Sequence, residues 1–290
     1  MVDQAEKLKE LIASQAGGTK KKTRFIAITS GKGGVGKSTI SANMAYMFSN
    51  LGLKVGLFDA DLGLANLDVI LGVSVNKNIL HVVKGECTLD EAIIEINPNL
   101  FLIPGDSGDE ILKYAQPEFF SQILSEKSRL DDMDIMIIDT GAGIGEHTQL
   151  FLKVADDVIV IAIPDPASIT DAYAMIKINS KVRSEVGLLM NQVNSEKEAL
   201  LICEKIKKVA ASNIGGDFSI DYIGKLDASA SVAKAVKQRK LFTQEAGAGV
   251  PSKDIEKIVR NLARKVERNV LVERKESGIN GLFKRLFEQF

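Results

Sequence analysis

Gly31-Lys32-Gly33-Gly34-Val35-Gly36-Lys37-Ser38-Thr39 lies between a short apolar run, Phe25-Ile26-Ala27-Ile28-Thr29, and an amphipathic stretch from Ser38 to Leu51. Strand, glycine-rich loop and helix in that order form the setting of a phosphate-binding P-loop. The glycines let the backbone bend so that successive N–H groups face a polyphosphate. The helix N-terminus adds its partial positive charge. Lys37 is placed to reach the β- and γ-phosphates of a nucleotide, and the Ser38 hydroxyl to ligate Mg²⁺. A glycine-rich turn without a ligand explains the glycines but not the Lys-Ser pair after them.

The rest of the chain alternates in the same way. Apolar, strand-like runs recur at 25–29, 54–58, 100–103, 134–138, 157–163, 186–190 and 219–223, most of them continuous. Continuous runs suit parallel strands covered on both faces. Helical patterns fall between them at 38–51, 117–128, 146–154, 168–180 and 196–211, and a charged helix over 252–272 closes the series. The expected fold is α/β: a doubly wound, mostly parallel sheet with helices on both faces. Its ligand belongs beyond the carboxyl ends of the strands. Asp59 and Asp61 after the second run, and Asp139 after Ile135-Met136-Ile137-Ile138, fall there too. Asp139 has the position of a Walker B carboxylate that holds Mg²⁺ or its water. The following Thr140-Gly141-Ala142-Gly143-Ile144 has the form of a loop whose glycine N–H can reach a γ-phosphate.

Composition removes several classes. The net charge of −1 gives no global basic field for nucleic acid. Cys87 and Cys203 are isolated, which argues against a disulfide scaffold, a zinc site or a cluster carrier. No apolar run approaches the ~20 residues of a transmembrane helix. The N-terminus lacks the apolar core of a signal peptide. The expected protein is soluble and cytoplasmic, and any membrane contact is peripheral.

Lys32, directly after the first glycine, narrows the reading. The pattern Lys-Gly-Gly-Val-Gly-Lys-Ser resembles the deviant P-loop of the MinD/ParA ATPases. That resemblance implies ATP/ADP and Mg²⁺ as cofactors, with Gly31 to Thr39 cradling the phosphates. It implies an ATP-bound homodimer in which Lys32 reaches the partner's nucleotide, placing charge where the transferred phosphoryl becomes more negative. Phe58-Asp59-Ala60-Asp61-Leu62-Gly63-Leu64-Ala65-Asn66-Leu67-Asp68 resembles switch I of the MinD branch. There Asp61 would position or activate the attacking water, and Asp59 would lie near Mg²⁺ with Ser38 and Asp139. The alternative for both acids is capping of the following turn. Asn191, after Val186-Gly187-Leu188-Leu189-Met190, matches the family's adenine-reading Asn. Asp227 of Lys225-Leu226-Asp227 stands at a second adenine-side segment, without the proline the family often places before it.

The two ends point to a branch of that family. At the C-terminal end Ile279, Leu282, Phe283, Leu286, Phe287 and Phe290 form one helical stripe flanked by Lys284 and Arg285. It resembles the membrane-targeting helix of the MinD branch, an interfacial helix for an anionic lipid surface. With four basic and three acidic side chains in the last 20 residues, attraction to anionic lipid is modest. An ordinary helix packed on the core is the alternative reading.

At the other end Asp3 and Glu6 form a capping box for a short helix over 3–14, with Ala5, Leu8, Leu11 and Ile12 on one side. A polar linker, Gly17 to Thr23, follows. The helix resembles the activator segment of the flagellar FlhG branch, with Asp3, Gln4, Ala5 and Leu8 as the partner-binding positions. Lys9 stands where that motif usually has Arg. Gly141, where many MinD chains carry proline, and Asn191 to Glu198 lean the same way.

The resemblance thus implies three parts: an activator helix and linker at 1–24, an ATPase domain at 25–272, and a membrane-targeting helix at 273–290. It implies an ATPase switch for flagellar number and placement, reversibly peripheral at the inner face of the plasma membrane. The implied partners are an FlhF-type GTPase of the signal-recognition-particle class and flagellar C-ring components. The alternatives are a cell-division MinD, which has no need of residues 3–12, and a ParA partition ATPase, which expects a basic DNA-binding stripe and is opposed by the balanced charge and the apolar C-terminal end.

Overall fold

A computed structural model describes residues 23–61, 66–105, 129–130, 132–214, 217–244, 249–269, 282 and 285–286. The expected helices at 3–14 and 117–128 lie outside the described residues. So do Asp3, Gln4, Ala5, Leu8, Ile279, Phe283, Phe287 and Phe290.

Eight strands form one sheet: β1 (Arg24–Ser30), β2 (Val55–Ala60), β3 (Ile94–Asn97), β4 (Leu100–Ile103), β5 (Ile135–Ala142), β6 (Asp157–Ala162), β7 (Glu185–Val193) and β8 (Ser219–Asp227). Their order is β3-β4-β2-β5-β1-β6-β7-β8, and among the described residues only the β3–β4 pair is antiparallel. The helices are α1 (Lys37–Asn50), α2 (Leu67–Leu71), α3 (Ile79–Val83), α4 (Leu89–Ala92), α5 (Glu146–Val154), α6 (Pro166–Asn179), α7 (Glu196–Ile214), α8 (Ala230–Lys237) and α9 (Gly249–Asn269). The doubly wound α/β architecture is the one the alternating runs predict. The edge strand β3 and the short helices α2, α3, α4 and α8 are additions to it.

The sheet separates two apolar cores, and period-two alternation sends each strand's side chains to both. Phe25, Ala27, Met136 and Ile138 join one core, covered by α3 to α7. Ile26, Ile28, Ile135 and Ile137 join the other, covered mainly by α1 and α9. All eight are buried. This is why the strands read as unbroken apolar runs rather than alternating ones.

β1 is central. β5 lies on one side of it and β6 on the other. The chain leaves β1 toward β2 on one side and later crosses to β6 on the opposite side. Strand order therefore reverses at β1, and the crevice beyond its carboxyl end is where such a sheet takes its ligand.

Candidate nucleotide site

The glycine-rich loop occupies that crevice. Gly36 is the N-cap of α1 at φ 89°, left-handed backbone that favours glycine, and no side chain caps the helix. The first N–H groups of α1 are thus open to an anionic ligand. Gly31 is required by contact: a Cβ there would lie 2.3 Å from the Asp171 backbone on α6. The loop carboxyl-terminal to β5 closes over it, with the Gly143 N–H donating to Ser30 O at 2.8 Å.

Register brings the carboxylates together. Asp59 and Asp139 sit side by side on β2 and β5. Lys37 is buried against Asp139 and near Asp61, its Nζ 3.2 Å from Asp139 Oδ1 and 3.7 Å from Asp61 Oδ2. Ser41, one turn further along α1, donates to the same Asp139 oxygen at 2.9 Å. Asp139 is fully buried, and burial pushes its carboxyl up against the pull of Lys37 and the Ser38 and Ser41 hydroxyls. Burial raises Asp59 to about 7, with the Asp139 charge adding to it and the N–H groups of Leu67, Asp61 and Asn66 opposing.

Those N–H groups explain the shape of switch I. Asp59 Oδ2 accepts from Asn66 N at 3.0 Å and Leu67 N at 3.1 Å, and Oδ1 accepts from Asp61 N at 3.2 Å. Asp59 is therefore an organiser of the loop that leads into α2, as well as a carboxylate beside Asp139. Asp61 is partly exposed, and a Cβ on Gly141 would lie 3.4 Å from its Oδ1. The two switch segments face each other across that oxygen.

The donor set fits Mg²⁺. Asp139 Oδ2 is buried without a hydrogen bond of good geometry among the described residues. Ser38, Asp59 and Asp139 offer hard oxygen ligands only, and no group of three or more His, Cys, Asp or Glu among the described residues could hold a metal by itself. Such a site suits an ion that keeps waters and takes its other ligands from phosphates.

Lys32 does not share the pocket. It is exposed, and its Nζ pairs at 2.9 Å with Asp165 Oδ2. The same carboxylate oxygen caps α6 by accepting from Ser168 N at 3.0 Å, and the Lys32 hydrogen bond holds the Asp165 carboxyl below its usual range. Asp227 lies beside Val193 in the β7–β8 pair and forms an ion pair with Lys225 at 2.7 Å, while Lys225 also holds Asp254 of α9 at 3.0 Å. Sequence reasoning missed Ser41 and Asp165. Asp165-Pro166 does carry a signal, an N-cap before a proline at the first helical position.

At the opposite end of the sheet, three residues of the C-terminal stripe region pack on the core. Leu282 is fully buried in the α3–α7 core, and Leu286 packs against it. Arg285 donates from Nη1 to Val154 O at 2.8 Å and to Asp156 Oδ1 at 3.1 Å, and its guanidinium lies 4.8 Å from the Phe25 ring centre.

A family model described as ParA, NUBPL iron-transfer P-loop NTPase, matches residues 21–266. The Helicobacter pylori flagellum site-determining protein YlxH is 49% identical over 267 residues, covering 92% of this chain and 90% of the relative. The Pseudomonas aeruginosa antiactivator FleN is 34% identical over 223 residues, covering 76% and 79%. Among solved structures, the MinD cell division protein of Aquifex aeolicus matches with TM-score 0.64 and 25% identity, over 83% of this chain and 98% of that one. Cys87, half-buried after α3, and Cys203, buried on α7, form no disulfide. The phosphate loop, the Asp59–Asp139–Lys37 cluster and these relatives agree: the chain belongs to the MinD/ParA family of P-loop ATPases and is closely related to its flagellar FlhG/YlxH/FleN subfamily.

Proposed function

We propose that this ATP-dependent switch ATPase sets flagellar number or placement, pairing when ATP is bound and engaging a membrane and an FlhF-type GTPase in that state. The observation that carries the reading is the 49% identity to the flagellar YlxH over 92% of the chain. The likeness to MinD supports placement of the division septum as a second reading.

In this reading the chain has three working parts: residues 1–24 as activator, 25–272 as ATPase and 273–290 as membrane segment. Lys37 and the N–H groups of the loop hold the polyphosphate. Asp227 lies on the adenine side, and Asn191 lies between that side and the phosphate loop. Asp61 orients the attacking water and accepts its proton, helped by its exposure to the crevice. Ser38 and Asp139, with Asp59 beside them, would hold Mg²⁺, which would supply the positive charge that polarises the phosphates. Lys32 must leave Asp165 to serve a second subunit, so pairing and hydrolysis are linked. The buried Leu282 and the Arg285 contacts support a reading in which part of the membrane segment is covered in this form. ATP-driven pairing would then free two such segments at once, and two weak anchors together hold far better than one.

The test is biochemical. Full-length protein with ATP should stimulate GTP hydrolysis by an FlhF-type GTPase, and a peptide of residues 1–20 should do so alone, less well after Gln4→Ala. Stimulation of no such GTPase by either would remove the flagellar reading and leave the septum reading.

A further inference from the structure

Asn191 is tied to the phosphate loop rather than left open at the base side. Its Nδ2 donates to Val35 O at 2.7 Å in a buried hydrogen bond across 156 residues of sequence. Its Oδ1 accepts from Gln192 N at 2.9 Å. Gln192 is a non-glycine residue at φ 56°, conformationally costly backbone. The cost is offset where that bend lets the N–H fix the amide's orientation. The loop is shaped to receive it: a Cβ on Gly36 would lie 2.5 Å from Asn191 Nδ2.

We propose that Asn191 is a positioning residue for the phosphate loop, fixing the Val35–Gly36 peptide so that the loop is preorganised for a polyphosphate. The peptide is planar and trans, so its C=O and N–H point in opposite directions. Holding Val35 O on Asn191 turns the Gly36 N–H the other way and fixes one of the donors of the cradle before any ligand arrives. Gly36 also opens α1, so the same contact sets the direction of the helix N-terminus. This inference rests on the ATPase reading, and it differs from base recognition in what it demands. A base reader acts only on ligands with a base. A loop-positioning residue acts on bare polyphosphate as well.

The experiment uses full-length protein, with ATP and inorganic tripolyphosphate as probes and ligand-free hydrogen exchange of residues 31–40 as a third readout. Asn191→Ala should weaken ATP and tripolyphosphate by the same factor, on the order of ten-fold, because a buried carbonyl loses its partner. Exchange of the loop amides should quicken. If ATP weakens while tripolyphosphate and loop exchange stay as in the wild type, Asn191 reads the base and the proposal is overturned. Unchanged affinity for both ligands overturns it as well. Asn191→Ser, a smaller perturbation, gives the same readouts should the Ala variant not fold. A wild-type protein that binds neither ligand would overturn the nucleotide reading itself.

Discussion

Asp61 and Lys37 differ by role although they lie 3.7 Å apart. Lys37→Ala removes the charge that a polyphosphate needs in a buried loop and should abolish nucleotide binding. Asp61→Ala should leave ATP binding intact and stop hydrolysis, as read by equilibrium binding and phosphate release. Asp59 supplies a pH signature. Its carboxyl is raised to about 7 by burial, so between pH about 4 and 7 the folded protein keeps a proton that the unfolded chain has lost. Stability of the nucleotide-free protein should therefore fall as pH rises through that window, by up to about 4 kcal/mol. Melting temperature against pH should show the slope, and Asp59→Asn should reduce it, leaving the part that the raised Asp139 carboxyl contributes; that variant also gives up hydrogen bonds at one oxygen. At this scale sequence spacing located the lysines and carboxylates, because each follows directly on a strand or a glycine. It could not locate Ser41 on Asp139 or Asp165 on Lys32, since both pairs meet only through the sheet.

Elements were legible in proportion to their length. The strands at 135–142 and 185–193 and the helices at 37–50 and 196–214 repeat their apolar pattern enough to be read. α2, α3 and α4 have five, five and four residues, too few for a periodicity, and take their form from caps such as Asn78 and Thr88. The C-terminal stripe was legible as amphipathic, but no pattern could say what its apolar face meets. Leu282 and Leu286 meet the α3–α7 core, and Arg285 binds the carbonyl that ends α5. Arg285→Ala removes two hydrogen bonds and a cation–π contact and should lower stability by about 1–3 kcal/mol. In liposome sedimentation without ATP it should pellet more than the wild type. Equal pelleting would mean that Arg285 does not hold the segment down.

For the whole molecule, pairing is the property that one chain cannot display. Lys32 is exposed and held by an ion pair between surface groups, which water and salt screen strongly. Exchanging Asp165 for a partner's phosphate is therefore inexpensive. Light scattering of Asp61→Ala with ATP should report a dimer, and adding Lys32→Ala should return it to monomer. A dimer indifferent to both would exclude a pair in which Lys32 reaches the partner's nucleotide.

The central place of β1 also governs how the protein is made. β1 leaves the ribosome early, yet Arg24 pairs with Ile135 and Ile26 with Asp157. Strand pairing over such separations must wait for the later strands and is slow to form. The motif that identifies the chain is thus translated long before the walls that hold it exist. A nascent chain halted at residue 156 lacks β6 and should bind no ATP analogue, while release of the full chain should restore binding. During synthesis the nucleotide would then report completion of the sheet rather than assist its beginning.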